Sequence, residues 1–440
     1  MIKQPFLTLI LTTSVLIGCS SQLNEERTSL KTTLENVMDS ANIPALSFSI
    51  IENNNLVSDF SLGVKNIKSG ELIDSNTIFE AASLTKPITA YCAMRLVAEG
   101  KLDLDTPLYK YLEYEAIEYD ERYKLITSRM VMSHTSGFPN WRRFNDDGKL
   151  DIKFTPSERY SYSGEGIVYL QRVMEKILDK RLDTILNDFV FEPLYMSNSS
   201  MIFPDTQNFT VGHDIDEIPQ TKIQPNLPNG AASLHTTAND YSKFIQELIN
   251  PKYIDKSNLE SMFKPQINMS DSDTTIFFGL GVALHVNDGD TLFWHWGSNL
   301  YSRGFFIMSK SNQKGFVYFA NSAMGLSIVD RMIELVYNDT SIMSGWNQYP
   351  QYTHPYFVLR NAYRDHGLNS AYNTFKKGIE EKPELYNDDF YLDDLGKLAL
   401  ELGNKEDALK LFKLNQKEYP DSEKSKKKII KLEKELSNKY

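Results

Sequence analysis

Hydrophobic and polar positions divide the chain into stretches of different period. An apolar run, Phe6–Gly18, follows Lys3 at the start. From about residue 25 to 41 the apolar positions recur with helical spacing and predict an amphipathic helix. Ala45–Glu52 and Leu56–Val64 then read as two strands joined around Asn53-Asn54-Asn55, a hairpin signal. Ile88, Tyr91, Cys92, Leu96 and Val97 return to helical spacing, and Gly100 supplies a stop. Leu102–Pro107 is a loop, after which the pattern to about residue 230 is helical with irregular connections. Asp240–Leu248 reads as a helix. Thr291–His295, Gly304–Met308 and Gly315–Ala320 read as successive antiparallel strands, and a helix over Leu326–Val336 closes the unit. This order predicts an α+β fold over residues 25–340: an antiparallel five-stranded sheet flanked by helices, with an inserted helical subdomain.

Beyond about residue 350 only helical patterning remains. Ala371, Phe375 and Pro383 recur as Ala408, Phe412 and Pro420, a shift of 37 residues each time. With Leu395-Gly396 ahead of Ala408, residues 350–440 resemble tetratricopeptide helical hairpins, an all-α helical-repeat segment. A generic helical tail is the plainer alternative. The resemblance implies a possible protein partner for the tail. Lys424–Lys434 reads as a solvated basic helix face.

Composition narrows the function classes. The chain has 440 residues, enough for two or three domains, and 41% hydrophobic residues can bury a sizeable core. A net charge of −11 argues against a nucleic-acid partner, which needs a basic face. The only cysteines are Cys19 and Cys92, so no disulfide framework is implied, and Cys92 falls on the buried side of its helix. The seven histidines show neither His-x-His nor His-Glu-x-x-His spacing, so no metal site is expected, and no cofactor is implied. The Phe6–Gly18 run is too short to span a bilayer. Its end, Leu16-Ile17-Gly18-Cys19, resembles a bacterial lipoprotein signal. That resemblance implies a signal peptide over residues 1–18, lipid attachment at Cys19, a linker over 19–24 and a lipid-anchored protein of the bacterial cell envelope. An ordinary cleaved signal is the alternative.

Candidate chemistry centres on Ala81-Ala82-Ser83-Leu84-Thr85-Lys86-Pro87. Proline is tolerated only near a helix start, so Pro87 puts that start within about a turn of Ser83. Positions i and i+3 share a helix face, roughly 5–6 Å apart at Cβ, so the Lys86 amine can reach the Ser83 hydroxyl. That pairs a nucleophile with its activator. Ser-x-x-Lys also occurs at Ser261, Ser311 and Ser425, so the spacing alone is weak. Two other segments add context: Tyr160-Ser161-Tyr162-Ser163-Gly164 before an apolar helical pattern, and the strand end His295-Trp296-Gly297-Ser298. In Ser133-His134-Thr135-Ser136-Gly137, a structural hydrogen-bonding role for His134 and Ser136 is favoured over a catalytic one.

Ser-x-x-Lys, a tyrosine-centred loop and His-x-Gly closing a strand, in that order, resemble the serine β-lactamase and penicillin-recognising enzymes. The resemblance is nearest to the branch of class C β-lactamases, D-amino-acid peptidases and esterases. It implies Ser83 as the acylated nucleophile, Lys86 as its proton-handling partner and Tyr162 as the second acid/base, with Tyr160 the competitor. The backbone N–H groups of Ser83 and Ser298 would form the oxyanion hole, and His295 and Gly297 would bind substrate. A tyrosine titrates near 10, so it serves as a base near neutrality only beside a cation such as Lys86. Two positions depart from the family pattern. Gly164 replaces the asparagine of Tyr-x-Asn, which puts amide recognition in doubt, and His295 stands where most β-lactamases have lysine. No Gly-x-Ser-x-Gly elbow occurs, against an α/β-hydrolase. The expectation is a serine hydrolase acting through an acyl-enzyme on an ester or amide small molecule or peptide. A true β-lactamase, or a non-catalytic binding lipoprotein using its helical tail, are the alternatives.

Overall fold

The Asn53-Asn54 turn sets the first hairpin. Both residues have positive φ, 51° and 57°, the left-handed pair that a two-residue turn needs to match strand twist. The turn joins β1 (Ala45–Glu52) to β2 (Asn55–Gly63), with Glu52 opposite Asn55. Seven of the eight β1 residues are buried, whereas β2 mixes exposed and covered positions. β1 is therefore interior and β2 lies at an edge.

The structure, a computed structural model, describes residues 10–142, 148–222, 224–287, 289–343 and 349–437, with backbone alone for 10–24. The chain divides into two compact units, Met1–Tyr349 and Pro350–Tyr440. In the first, β3 (Phe79–Ala82) pairs with β4 (Leu234–Thr236) in a small separate sheet. The main sheet adds β5 (Ile267–Asn268), β6 (Ile276–Phe278), β7 (Ala283–Asn287), β8 (Asp290–Ser298), β9 (Arg303–Ser309) and β10 (Gly315–Ala320). Its order is β2-β1-β10-β9-β8-β7-β6-β5, all neighbours antiparallel.

The α+β class and the inserted helical region match the expectation; the strand count does not. The sheet has eight strands among the described residues, not five. β5 and β6 span only two and three residues, too short to show a period of two. Between β6 and β7, Gly279 lies so close to the Met262 carbonyl that a Cβ there would sit 2.1 Å from its oxygen.

Helix α1 (Ile10–Ser40) precedes β1 and buries Leu34, Val37 and Met38. Among the described residues no helix is long and apolar enough to cross a membrane. The Cys19 side chain and residues 1–9 lie outside what is described. Helix α2 (Thr85–Ala98) buries every residue from Thr85 to Met94 and so runs through the centre of the unit.

The second unit is helical throughout its described length. Pro355–Glu381 is two helices joined at Gly367, whose φ of 77° and ψ of −175° break the helical path. Ala371, Phe375, Ala408 and Phe412, the positions that repeat in sequence, are all fully buried in its core. Helices Phe390–Glu401 and Lys405–Glu418 meet where Gly396 faces the Phe412 ring. A Cβ at Gly396 would lie 2.4 Å from that ring. Gly396→Ala should therefore cost about 1–3 kcal/mol of overpacking, read as a lower unfolding midpoint by circular dichroism. An unchanged midpoint would mean the two helices separate at no cost.

Candidate active site

The nucleophile candidate stands on a strand-to-helix turn. β3 ends at Ala82, whose φ of 50° lies in the left-handed region, at a cost of about 1–2 kcal/mol for a residue with a Cβ. Two contacts hold this backbone. The Thr85 hydroxyl donates to the Ala82 carbonyl at 2.6 Å and accepts from the Leu234 N–H at 3.0 Å. Behind the turn, β8 comes so close that a Cβ on Gly297 would lie 2.3 Å from the Ala81 oxygen. Only glycine permits that approach. The result leaves Ser83 partly exposed between buried neighbours, with α2 starting two residues later.

Lys86, the second residue of α2, is fully buried. Its Nζ is 3.0 Å from the Ser83 Oγ and donates to the Ala231 carbonyl at 2.8 Å. The other neighbours are aromatic: the Tyr162 ring centroid lies 4.7 Å from the amine and that of Trp141 lies 5.9 Å away. Burial lowers the Lys86 pKa from 10.5 to about 7, since an ammonium loses its hydration there. The amine thus has a lone pair available near neutrality.

Tyr162 rather than Tyr160 faces this amine. Tyr160 stacks on Phe278 at 5.7 Å and meets the His134 ring edge-on at 6.1 Å. His134 fixes the loop from both sides of Tyr162: its carbonyl accepts from the Ser161 N–H at 2.8 Å, and its Nδ1 accepts from the Ser163 N–H at 3.2 Å. The Tyr162 ring packs on His134 at 4.3 Å and Trp296 at 5.2 Å. Its hydroxyl is buried with no hydrogen-bond partner of ordinary geometry among the described residues. Burial pushes its pKa up, against a smaller downward pull from nearby Ser83. A tyrosine brought toward neutrality by the Lys86 cation was the expectation; burial raises the phenol instead, and Lys86 is the group shifted toward pH 7.

His295 is also fully buried. Its Nδ1 lies 2.8 Å from the Trp296 carbonyl, which can only accept, so Nδ1 carries the proton. Nε2 has no partner among the described residues. Burial, then the Lys86 charge, lowers its pKa to about 3, so the position offers an acceptor and no positive charge. Ser298 ends β8, opposite Arg303, whose Nη1 donates to the Ser298 Oγ at 2.6 Å. Ser83 and Ser298 border the same cavity, of about 600 Å³.

Sequence reasoning missed Trp141 and Asn140. A Cβ on Gly164 would meet the Trp141 ring at 2.8 Å and the Asn140 carbonyl at 2.9 Å. The Gly164 N–H instead donates to the Asn140 Oδ1 at 3.0 Å. The place of a side chain at 164 is thus filled by an indole that borders the cavity. Arg142 next to it is anchored on the buried Glu165 through Nε at 2.9 Å. The one sequence signal for this wall was an isolated tryptophan after Pro139-Asn140.

Comparison with known proteins bears on the family and the fold. The family model described as Beta-lactamase matches residues 30–336. Protein flp of Staphylococcus aureus (strain COL) is 20% identical over 333 residues, 71% of this chain and 66% of the relative's length. The chain therefore spans about two thirds of that relative. Esterase EstB of Burkholderia gladioli is 23% identical over 279 residues, covering 51% of this chain and 71% of the esterase. Among solved structures, the octameric penicillin-binding protein homologue from Pyrococcus abyssi superposes with a TM-score of 0.61 at 21% identity, covering 77% of this chain and 81% of that one. D-alanine carboxypeptidase AmpC from Burkholderia cenocepacia gives 0.61 at 18% identity, covering 72% and 100%. At these identities the structures share the fold.

The lowered Lys86 pKa sets a pH dependence. Below about 7 the amine is protonated and cannot take the Ser83 proton. Covalent labelling of the protein by a serine-reactive phosphonate should rise with pH through about 7 and level off within about one unit above it. A rate that is flat through this range would exclude Lys86 as the titrating base.

Proposed function

The chain belongs to the beta-lactamase family, and from that premise we propose that it is a serine hydrolase acting through an acyl-enzyme, with esters as its best substrates. One observation carries the reading: the fully buried Lys86 amine, shifted toward neutrality, lies 3.0 Å from the Ser83 hydroxyl. As Ser83 Oγ attacks the substrate carbonyl, Lys86 takes its proton. Tyr162, kept protonated by burial, returns a proton to the leaving group, and Lys86 in turn resupplies the tyrosine. The Ser83 and Ser298 backbone N–H groups stabilise the oxyanion, each such donor typically worth about 3 kcal/mol. Water then attacks the acyl-enzyme over the same groups in reverse. Neutral His295, buried against the Tyr162 and Trp296 rings, adds no charge beside the reacting groups.

Preference for esters rests on the acyl side of the cavity. Trp141 stands where a side chain at 164 would present hydrogen-bonding groups, and its face suits apolar acyl chains better than acylamino groups. This counts against efficient β-lactam hydrolysis. That one relative is named an esterase and one structural neighbour a D-alanine carboxypeptidase is compatible with acyl transfer from either bond type.

Ser83→Ala should abolish both turnover of a short-chain p-nitrophenyl ester and phosphonate labelling, since the acyl bond needs that oxygen. Lys86→Ala and Tyr162→Phe should each slow acylation by about 10²–10⁴-fold with small changes in melting temperature. Stopped-flow acylation rates test this. Losses no larger than those of Tyr160→Phe would remove Tyr162 from the mechanism.

The proposal places the hydrolase on a membrane of the bacterial envelope through lipid on Cys19, supported by the Leu16-Ile17-Gly18-Cys19 sequence. Cys19→Ala should shift the protein from the membrane pellet to the soluble fraction. Retention in the pellet after a high-salt wash would reject the lipid anchor.

A further inference from the structure

The cavity in front of Ser83 has a second polar end that acyl transfer does not use. It is built on the short ladder of β3 and β4, where Glu80 and His235 are cross-strand partners three residues ahead of the nucleophile turn. Lys222 pairs with Glu80 at 3.0 Å, its side chain only 8% exposed. Asn299 Nδ2 donates to the other Glu80 oxygen. All four residues border the cavity.

His235 is 1% exposed, and its Nδ1 lies 2.9 Å from the Ser233 carbonyl. A carbonyl only accepts, so Nδ1 carries the proton and Nε2 keeps a lone pair. That Nε2 is buried and has no hydrogen-bond partner among the described residues. Burial, then the Lys222 charge, holds the imidazole well below its usual pKa, which keeps the ring neutral. Beside it, Lys222 gives one N–H to Glu80 and has two others to donate. An acceptor and a donor thus stand together at a wall already bordered by paired charges.

The pair discriminates among ligand groups. An ammonium would be repelled by Lys222. A carboxylate cannot donate to His235 Nε2 and would face the Glu80 carboxylate. A hydroxyl donates to Nε2 and accepts from Lys222, satisfying both without adding charge. We infer that the Glu80–Lys222–His235 end of the cavity is a subsite for a hydroxyl group of a neutral substrate, making hydroxylated esters, such as those of a polyol, the preferred class. The inference rests on the hydrolase reading for the reaction and on the cavity alone for binding.

Full-length Ser83→Ala protein, which cannot turn substrate over, should be titrated calorimetrically with three esters. Glyceryl monobutyrate carries hydroxyls on the alcohol half, ethyl 3-hydroxybutyrate carries one on the acyl half, and ethyl butyrate carries none. At least one hydroxylated ester should bind about tenfold tighter than ethyl butyrate. His235→Phe in the same background should erase the difference, and His235→Gln, which keeps an acceptor, should retain part of it. Lys222→Met should narrow it independently, which covers the case of an unfolded His235→Phe protein. Equal affinities, no binding of any ester, or a difference that survives both variants would overturn the inference. The hydrolase reading fails separately, if wild-type protein binds a hydroxylated ester but forms no acyl-enzyme and takes no phosphonate label.

Discussion

The structure depends on carrying a lysine amine out of water and setting it beside a serine hydroxyl. An amine that titrates at 10.5 in water and at about 7 here has its ammonium form disfavoured, relative to water, by on the order of 5 kcal/mol. Among the described residues no carboxylate lies within ion-pair distance of Lys86. A carboxylate would hold it charged and remove the lone pair. A backbone carbonyl, a hydroxyl and two aromatic faces satisfy the group without doing so. For that reason α2 has to be central: Lys86 can be dry only if nearly every residue around it on the helix is covered as well.

Burying the helix start forces other segments into close contact, and the sequence meets each with a small residue. Gly297 lets β8 approach the Ala81 carbonyl, which supports the left-handed Ala82 and brings Ser298 to the same cavity as the nucleophile. Gly164 admits Trp141 to the acyl side, and its N–H ties down Asn140. His134 holds the loop on both sides of Tyr162, so the tyrosine's position is set by a residue with no part in the chemistry. The strain at Ala82 persists because Thr85 and the β3–β4 pairing fix the turn from two directions.

The site shows a consistent preference for neutral groups over charged ones. His295 is held uncharged, with a proton on Nδ1 and a free Nε2. His235, at the cavity wall, repeats that arrangement. Among the described residues, the cations that border the cavity, Lys222 and Arg142, are each paired with an acid, Glu80 and Glu165. Such a cavity suits uncharged substrates, and the desolvation that tunes Lys86 also sets what the rest of the site can bind.

What the sequence determined by itself was local. The Asn-Asn hairpin, the interior strands Ala45–Glu52 and Gly315–Ala320, and the start of α2 near Ser83 all follow from periods and turn chemistry within a few residues. The Ser83–Lys86 contact was legible for the same reason, because helical geometry brings i and i+3 together whatever surrounds them. So was the core of the second unit, where Ala371, Phe375, Ala408 and Phe412 repeat. Tertiary structure alone decided the rest. β5 and β6 are too short to carry a period, and the equally short β3 finds its partner β4 more than 150 residues away in the chain. The indole beside Gly164 and the neutral state of His295 each depend on segments more than twenty residues away. Above all, the pKa of Lys86 is a property of its surroundings: the residue type supplies the amine, and only the packing of distant segments around it removes the water that would keep it charged.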